Sequence, residues 1–259
     1  MLKASIPYLG SKRLEIKYIV DNEPDKFKKI IDVFGGGGSV SLHYFQHGYD
    51  IQYNDIDKAV CDLFNAIQDE EVIKKIVDSV NNYKLKDDLK DVLKSYQENQ
   101  DLESLLLLKS HSYRGLTHTP LINRRKINGV LVVEQHYKPD KLLKYPAIFK
   151  EKKLKVSNNN YKIILEQHKD NEDIFLYLDP PYLSTHCGDY IKDSFTFDDI
   201  LYIKNFIETA KCKVMLHLEF VGYVYDLFRD YIKFHYPKRY SFSGKNMIYQ
   251  KYICIITNY

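Results

Sequence analysis

The sequence Asp32-Val33-Phe34-Gly35-Gly36-Gly37-Gly38-Ser39 decides the fold class of this chain. The apolar residues from 29 to 34 predict a buried strand, and the four glycines predict a tight turn. The residues from 39 to 47 have the apolar spacing of a helix. A strand that passes through a glycine turn into a helix is the opening unit of a parallel α/β sheet.

The segments further along the chain continue this pattern. A second strand is predicted at 50–53 and is followed by a helical pattern. Strand signals return at 173–178 and 213–218, with a helix at 198–210 between them. Residues 239–256 alternate β-forming side chains about the turn Ser243-Gly244-Lys245-Asn246, which predicts an antiparallel hairpin that closes the sheet.

The middle of the chain differs from both ends. From about 70 to 109 the apolar spacing is helical and the surface is strongly charged, whereas 110–155 is rich in Arg, Lys, His, Asn and Pro. A chain of 259 residues fits one large domain that carries an insertion. We therefore predict one domain from 1–69 and 156–259, and an inserted module at 70–155.

Charge is unevenly distributed along the sequence. Residues 109–155 contain twelve Lys and Arg but only three acids, an excess of nine positive charges in a chain whose net charge is +3. Aromatic and histidine side chains are interleaved with these bases. A segment of this kind predicts a polyanionic partner.

Composition excludes several classes of protein. The chain is 44% hydrophobic and 28% charged, without an apolar run long enough to span a bilayer or the apolar stretch of a secretory signal. We therefore expect a cytoplasmic protein that has no membrane partner and no obligate protein partner. Its four cysteines form no CxxC pair, and no cluster of ligating side chains has metal-site spacing, so neither a disulfide framework nor a metal is expected.

The glycine turn predicts a ligand site. Glycines after a strand let the backbone approach a ligand at a helix N-terminus, and an acid after the next strand can accept hydrogen bonds from ribose hydroxyls. Asp55 has this position. The arrangement suits any adenosine-containing cofactor, so nicotinamide, flavin and S-adenosylmethionine all remain open on this feature alone.

The sequence Asp179-Pro180-Pro181-Tyr182 discriminates among these cofactors. It follows the strand at 173–178, at the edge where open α/β sheets present reactive groups. The exocyclic amine of adenine is a poor nucleophile because its lone pair is delocalised into the ring. A carboxylate at Asp179 and a carbonyl near Pro180 can each accept a hydrogen bond from one N–H group of this amine. Tyr182 can stack on a base that is flipped out of the duplex. Asp179, Pro180 and Tyr182 are therefore the catalytic candidates.

Four motifs together resemble the Dam family of DNA adenine methyltransferases. They are Tyr8-Leu9-Gly10-Ser11-Lys12, the glycine loop Asp32–Leu42, Asn54-Asp55-Ile56, and Asp179-Pro180-Pro181-Tyr182, in the order of the family. The resemblance implies an α/β fold with a Rossmann-like, S-adenosylmethionine-dependent methyltransferase sheet, a mainly helical target-recognition insert with a basic hairpin, and double-stranded DNA as substrate. The cofactor-binding candidates are Tyr8, Gly10, Lys12, Asp32, Phe34, Gly35, Gly37, Ser39, Asp55, Ile56 and Asp179.

The insert supplies the candidates for DNA contact. Asn128-Gly129 between β-forming residues predicts a tight hairpin, which is narrow enough to enter the major groove. The DNA-binding candidates are Arg114, Arg124, Arg125, Lys126 and Asn128.

Two other functions remain open. The same carboxylate and carbonyl would serve the exocyclic amine of cytosine, or adenine in RNA. The chain could also be a methyltransferase-like subunit that binds nucleic acid without catalysis. Intact Asp55 and Asp179 argue against the subunit, whereas His217-Leu218-Glu219 favours it, because the resembling family tends to carry small polar residues there.

Overall fold

The computed structural model describes residues 6–8, 10–85, 88–183, 195–241 and 248–259, with side chains over the same ranges except at 114, 240, 241, 248 and 249. The helices in these ranges are α1 Ile16–Val20, α2 Ser39–Gln46, α3 Lys58–Ala66, α4 Glu70–Asn81, α5 Lys90–Asn99, α6 Leu102–His111, α7 Tyr161–His168, α8 Phe197–Thr209 and α9 Gly222–Phe228. The strands are β1 Lys29–Asp32, β2 Asp50–Asn54, β3 Arg124–Ile127, β4 Val130–Val133, β5 Lys155–Ser157, β6 Ile174–Leu178, β7 Lys213–Glu219, β8 Ile232–Ser241 and β9 Ile248–Thr257.

Seven strands form one sheet in the order β5-β2-β1-β6-β7-β9-β8. The pairs from β5 to β7 are parallel, and β9 runs antiparallel to both β7 and β8. The predicted α/β sheet and its closing antiparallel strands are confirmed, although the predicted turn 243–246 lies outside the described residues. Strand order reverses between β1 and β6, and ligands of such sheets bind at the carboxyl ends beside this reversal.

Two hydrophobic cores cover the two faces of the sheet. All five residues of β6 are buried, with Phe175 and Tyr177 in one core and Leu176 and Leu178 in the other. Successive side chains of a strand point to opposite faces, so a central parallel strand buried on both sides reads as a continuous apolar run. This arrangement explains why the segment predicted at 173–178 lacks polar alternation.

The segment 70–155 is mainly helical, as predicted, and carries a separate two-stranded sheet of β3 and β4. Its turn residues Asn128 and Gly129 have φ values of 48° and 85°. Positive φ at both central positions is what a two-residue hairpin turn requires, and the predicted hairpin is confirmed. Helices α4 and α6 contribute to the same core as β1 and β2. The assignment of 70–155 to a separate recognition domain stays a prediction.

None of the helices in the described part of the chain combines the length and the apolar character needed to cross a membrane.

Candidate active site

A cavity of about 400 Å³ opens at the carboxyl ends of β1, β2 and β6. This volume lies within the range of small-molecule sites. All eleven cofactor-binding candidates line it, as do the catalytic candidates Asp179 and Tyr182. Pro180 is buried and is not among the lining residues, whereas Pro181 is.

The glycine loop forms one wall of this cavity, and a larger residue would not fit at its tightest position. A Cβ added to Gly35 would lie 2.1 Å from the ring of Tyr53, and the Tyr53 hydroxyl donates a 2.8 Å hydrogen bond to the carbonyl of Gly36. Gly38 has a φ of 72° at the N-terminus of α2, in the left-handed region that favours glycine. The loop therefore presents bare backbone to the cavity.

Asp55 directly follows β2 and is hydrogen-bonded to the glycine loop. Its Oδ2 accepts a 2.7 Å hydrogen bond from the backbone N–H of Gly36, and its Oδ1 accepts a 2.9 Å bond from that of Asp57. Burial raises the pKa of Asp55 to about 6, although these N–H groups favour the charged form. Each carboxylate oxygen keeps further acceptor capacity toward the cavity, because an ionised carboxylate has about four lone-pair sites.

Asp32 joins the end of β1 to the first turn of α2. Its Oδ2 accepts hydrogen bonds of 3.2 Å from the backbone N–H of Ser41 and 2.7 Å from the Ser41 hydroxyl. The residue is 1% exposed, and burial raises its pKa to about 7. Asp32 therefore changes protonation within the range in which enzymes are usually assayed.

Asp179 is held from two sides. The buried ammonium of Lys12 donates a hydrogen bond to its Oδ2, and the Tyr182 hydroxyl lies 3.4 Å from its Oδ1. The same ammonium is 5.3 Å from the centre of the Tyr182 ring. Burial raises the pKa of Asp179, and the charge of Lys12 opposes this shift. An oriented carboxylate in a partly dry site is suited to accept hydrogen bonds from an N–H group.

Two further ion pairs lie on the β8–β9 side of Asp179. Lys238, a cavity residue on β8, is 2.6 Å from Oε1 of Glu15, and Lys251 on β9 is 2.6 Å from Oε2 of Glu219. Lys238 and Lys251 are directly opposite each other in the β8–β9 register. The pairs match closely in burial and differ in their access to the cavity.

Sequence reasoning missed several cavity residues. The segment 158–160 follows β5 and is tied to β2, because the side chain of Asn158 donates to the carbonyl of Asp55 at 2.9 Å and the N–H of Asn159 donates to Asn54 at 3.1 Å. The run of three asparagines was itself a signal of a polar loop, although the strand before it is too short to predict. The lining residues outside the four motifs, all of which were missed, are Asp57, Asn159, Asn160, Tyr161, Tyr177, Phe195, Asp199 and Lys238.

The hairpin candidates are well exposed and lie apart from the lining residues of the cavity. Arg124 and Lys126 share one face of β3, and Arg125 lies on the other face, where its Nη1 is 3.8 Å from Glu134. Asn128 is in the turn. Arg114 belongs to a short 3-10 helix at 113–115, and its side chain lies outside the described ones. The structure therefore brings four of the five DNA-binding candidates together, and their contact with DNA stays a prediction.

The reversal of strand order, the bare glycine loop and the carboxylates after β2 and β6 define an α/β protein with a cavity at the edge of the sheet where such folds bind ligands. Within that class, the chain belongs to the D12 class N6 adenine-specific DNA methyltransferases, whose family model matches residues 8–243. The resemblance drawn from the four motifs and the expected adenine-specific enzyme are confirmed.

Individual proteins similar to the chain include the following two. The Type II methyltransferase M.CviBI of Paramecium bursaria Chlorella virus NC1A is 23% identical over 253 residues, which is 93% of this chain and 92% of that protein. A Haemophilus influenzae protein described as a methylase, known from its crystal structure, aligns with 96% of this chain and 90% of its own, at 9% identity and a TM-score of 0.31. A score of this size does not establish a shared fold.

Proposed function

We propose that the chain transfers a methyl group from S-adenosylmethionine to the exocyclic amine of an adenine that is flipped out of double-stranded DNA, at a specific sequence. The observation that carries this proposal is the position of Asp179. Its carboxylate, held by Lys12, lies in the wall of the same cavity as the glycine loop. The acceptor amine and the methyl donor would therefore meet in one site.

Two features of the cavity support S-adenosylmethionine as its ligand. Its lining includes five carboxylates and two ammonium groups, which suits a ligand that carries a sulfonium and an ammonium cation. The Tyr8 ring lies 3.0 Å from where a Cβ of Gly36 would be, so the glycine loop leaves a narrow cradle beside an aromatic ring. Asp55 would hold the ribose, the other candidates in the loop would contact the remainder, and the bound molecule would supply an electrophilic methyl group.

The residues around Asp179 would prepare the amine. Asp179 would accept a hydrogen bond from one N–H group of the amine, and the carbonyl of Pro180 would accept one from the other. These two bonds would turn the nitrogen lone pair toward the methyl donor. Lys12 favours the ionised form of the carboxylate and orients it through a hydrogen bond to Oδ2. Tyr182 stacks on the base, which must leave the duplex because its amine cannot be reached inside the helix.

Contact with DNA would come from the insert. The segment 109–155 carries an excess of nine positive charges, and its hairpin exposes Arg124, Arg125 and Lys126. A polyanionic duplex matches this charge, and a two-stranded ribbon fits the major groove. We therefore assign target recognition to the module 70–155.

Three measurements separate this function from the alternatives. Calorimetry with S-adenosylmethionine should show binding, and labelled methyl groups should then pass to duplex DNA but not to RNA or to duplexes that lack adenine. Methyl transfer to RNA, or to cytosine in DNA, would show that adenine in DNA is not the substrate. Cofactor binding without transfer to any nucleic acid would identify a non-catalytic subunit, a reading that the similarity to a Type II methyltransferase over 93% of the chain opposes.

A further inference from the structure

His217 lies directly behind the cavity wall. It is on β7, is 0% exposed, and its Nδ1 is 2.8 Å from the hydroxyl of Tyr177 on the neighbouring strand β6. Tyr177 lines the cavity, two residues before Asp179. The mechanism above uses neither Tyr177 nor His217, although Tyr177 lines the same cavity as Asp179, and burial and the charge of Asp179 raise the pKa of Tyr177.

The second nitrogen of His217 fixes the direction of the hydrogen bond. Nε2 is buried and has no hydrogen-bond partner among the described residues. A neutral imidazole has one N–H donor and one bare nitrogen. If Nδ1 accepted from Tyr177, an N–H group would be left unpaired at Nε2. Unpaired buried donors are rarer in native proteins than under-satisfied acceptors, which favours the tautomer that carries the proton on Nδ1.

The surroundings keep His217 neutral. Burial lowers the pKa of His217 well below its ordinary value, and the positive charges of Lys12 and Lys238 lower it further. The imidazolium, which would carry an N–H group on both nitrogens, is therefore not populated near neutral pH. The choice lies only between the two neutral tautomers.

We propose that His217 is a positioning residue: its Nδ1–H donates to the oxygen of Tyr177 and thereby turns the hydroxyl hydrogen of Tyr177 into the cavity, where it donates to the adenine ring nitrogen beside the exocyclic amine. This proposal rests on the proposed function. The amine edge of adenine shows a donor next to an acceptor, and Asp179 with Tyr177 offers an acceptor next to a donor. A tyrosine whose hydrogen was engaged by Nδ1 could not complete this pair.

The tautomer can be observed directly. In the full-length chain labelled with ¹⁵N, long-range ¹H–¹⁵N correlation spectra report which imidazole nitrogen carries the proton, and the His217 signals are assigned by their loss in His217→Asn. We expect a proton on Nδ1, a bare Nε2 and no titration near neutral pH. A proton on Nε2 would overturn the proposal. This result does not depend on methyl transfer, so it remains interpretable even if the proposed function fails.

Kinetics test what the hydroxyl does. Tyr177→Phe should lower kcat/KM for DNA by about tenfold, the effect of one lost hydrogen bond, while calorimetric affinity for S-adenosylmethionine is unchanged. His217→Leu should lower kcat/KM similarly, and the double variant should lose little more than either single one. His217→Asn should recover most of the loss, since its amide N–H can replace Nδ1–H.

The control is Tyr202→Phe, which removes a hydroxyl that donates to Glu166 at 2.6 Å and lies outside the cavity lining. We expect no kinetic change in this variant. Additive losses in the double variant, an equal loss of cofactor affinity, or failure of His217→Asn to recover activity would each overturn the proposal.

Discussion

Lys12 and Asp179, 167 residues apart in the sequence, form a hydrogen-bonded ion pair inside the cavity. The side chain of Lys12 is 3% exposed and that of Asp179 is 17% exposed. Removing one partner of such a pair leaves the other charge uncompensated, which is costly in a buried site. Lys12 favours the ionised form of Asp179, which under the proposed function is the carboxylate that receives the amine.

Lys12→Gln should move the acid limb of the kcat/KM profile to higher pH. Burial raises the pKa of Asp179 and Lys12 lowers it, so loss of the ammonium raises the pKa further and reduces the ionised fraction near neutral pH. Activity should partly return as the pH is increased. A loss of the same size at every pH would show that Lys12 does not act through Asp179.

Lys238 and Lys251 offer a matched comparison for this effect. The charge of Lys238 also lowers the pKa of Asp179, so Lys238→Gln should shift the profile in the same direction by a smaller amount. Lys251 is similarly buried and is paired with Glu219, but it is not a lining residue, and Lys251→Gln should leave the profile unshifted. Equal shifts in both variants would indicate a general loss of positive charge.

The raised pKa of Asp32 predicts that the free energy of unfolding depends on pH. Its folded pKa of about 7 exceeds the ordinary value of 3.8, so between these values the native state holds a proton that the unfolded chain has released. The free energy of unfolding therefore falls as the pH rises through this window and levels off above it. Relative to Asp32→Asn, the wild type should be less stable at about pH 8 than at about pH 5. Denaturant titrations measure this difference, and one that does not vary with pH would contradict the assignment.

Asp55→Ala should weaken cofactor binding. Loss of a hydrogen bond to a charged group costs roughly 1.5 to 3 kcal/mol, which calorimetry with S-adenosylmethionine would record as a raised dissociation constant. Asp62→Ala is the control, since Asp62 is also on the β2–α3 side but pairs with Lys58 at the surface. Unchanged affinity in Asp55→Ala would place the ribose site elsewhere.

Local patterns in the sequence predicted the parts of the site that depend on neighbouring residues. The strand, glycine loop and helix at 29–47 needed only apolar spacing and turn residues, and Asp55 and Asp179 were found because each directly follows a strand. The structure places all of them around one cavity. Residues that directly follow a strand can be recognised from the local pattern without knowledge of the fold.

Contacts between distant segments could not be predicted in the same way. Strand β5 has three residues, too few for a periodic pattern, so the role of 158–160 beside Asp55 was missed. The ion pair of Glu15 with Lys238 joins residues that lie far apart in the sequence and meet only in the folded chain. In the sequence, His217 was noted only as a departure from the family pattern. Its hydrogen bond to Tyr177 depends on the register of β6 and β7, which the sequence does not give.

The hairpin residues should not be equivalent. Arg124 and Lys126 lie on one face of β3 and Arg125 on the other, so alanine at Arg125 should act differently from alanine at Arg124 or Lys126. A residue that reads a base edge should cost about 1 to 3 kcal/mol on the cognate duplex only, whereas one that pairs with phosphate should weaken all duplexes and shallow the salt dependence by about one unit. Binding of cognate and scrambled duplexes at several salt concentrations separates these effects, and Arg114→Ala belongs in the same series. If every variant bound and methylated like the parent, recognition would lie outside the hairpin.

The most direct test is to identify the methylated nucleoside formed by wild type and Asp179→Ala. Each protein is incubated with S-adenosylmethionine and duplex DNA, the DNA is digested to nucleosides, and the products are identified by mass spectrometry. We predict that wild type forms N6-methyldeoxyadenosine and that Asp179→Ala lowers its yield by about 100-fold or more. This is the scale of the effect of removing one preorganised polar contact from a transition state. Calorimetry should show that the variant still binds the cofactor. Methylation of cytosine in place of adenine, or near-normal yield from Asp179→Ala, would contradict the account.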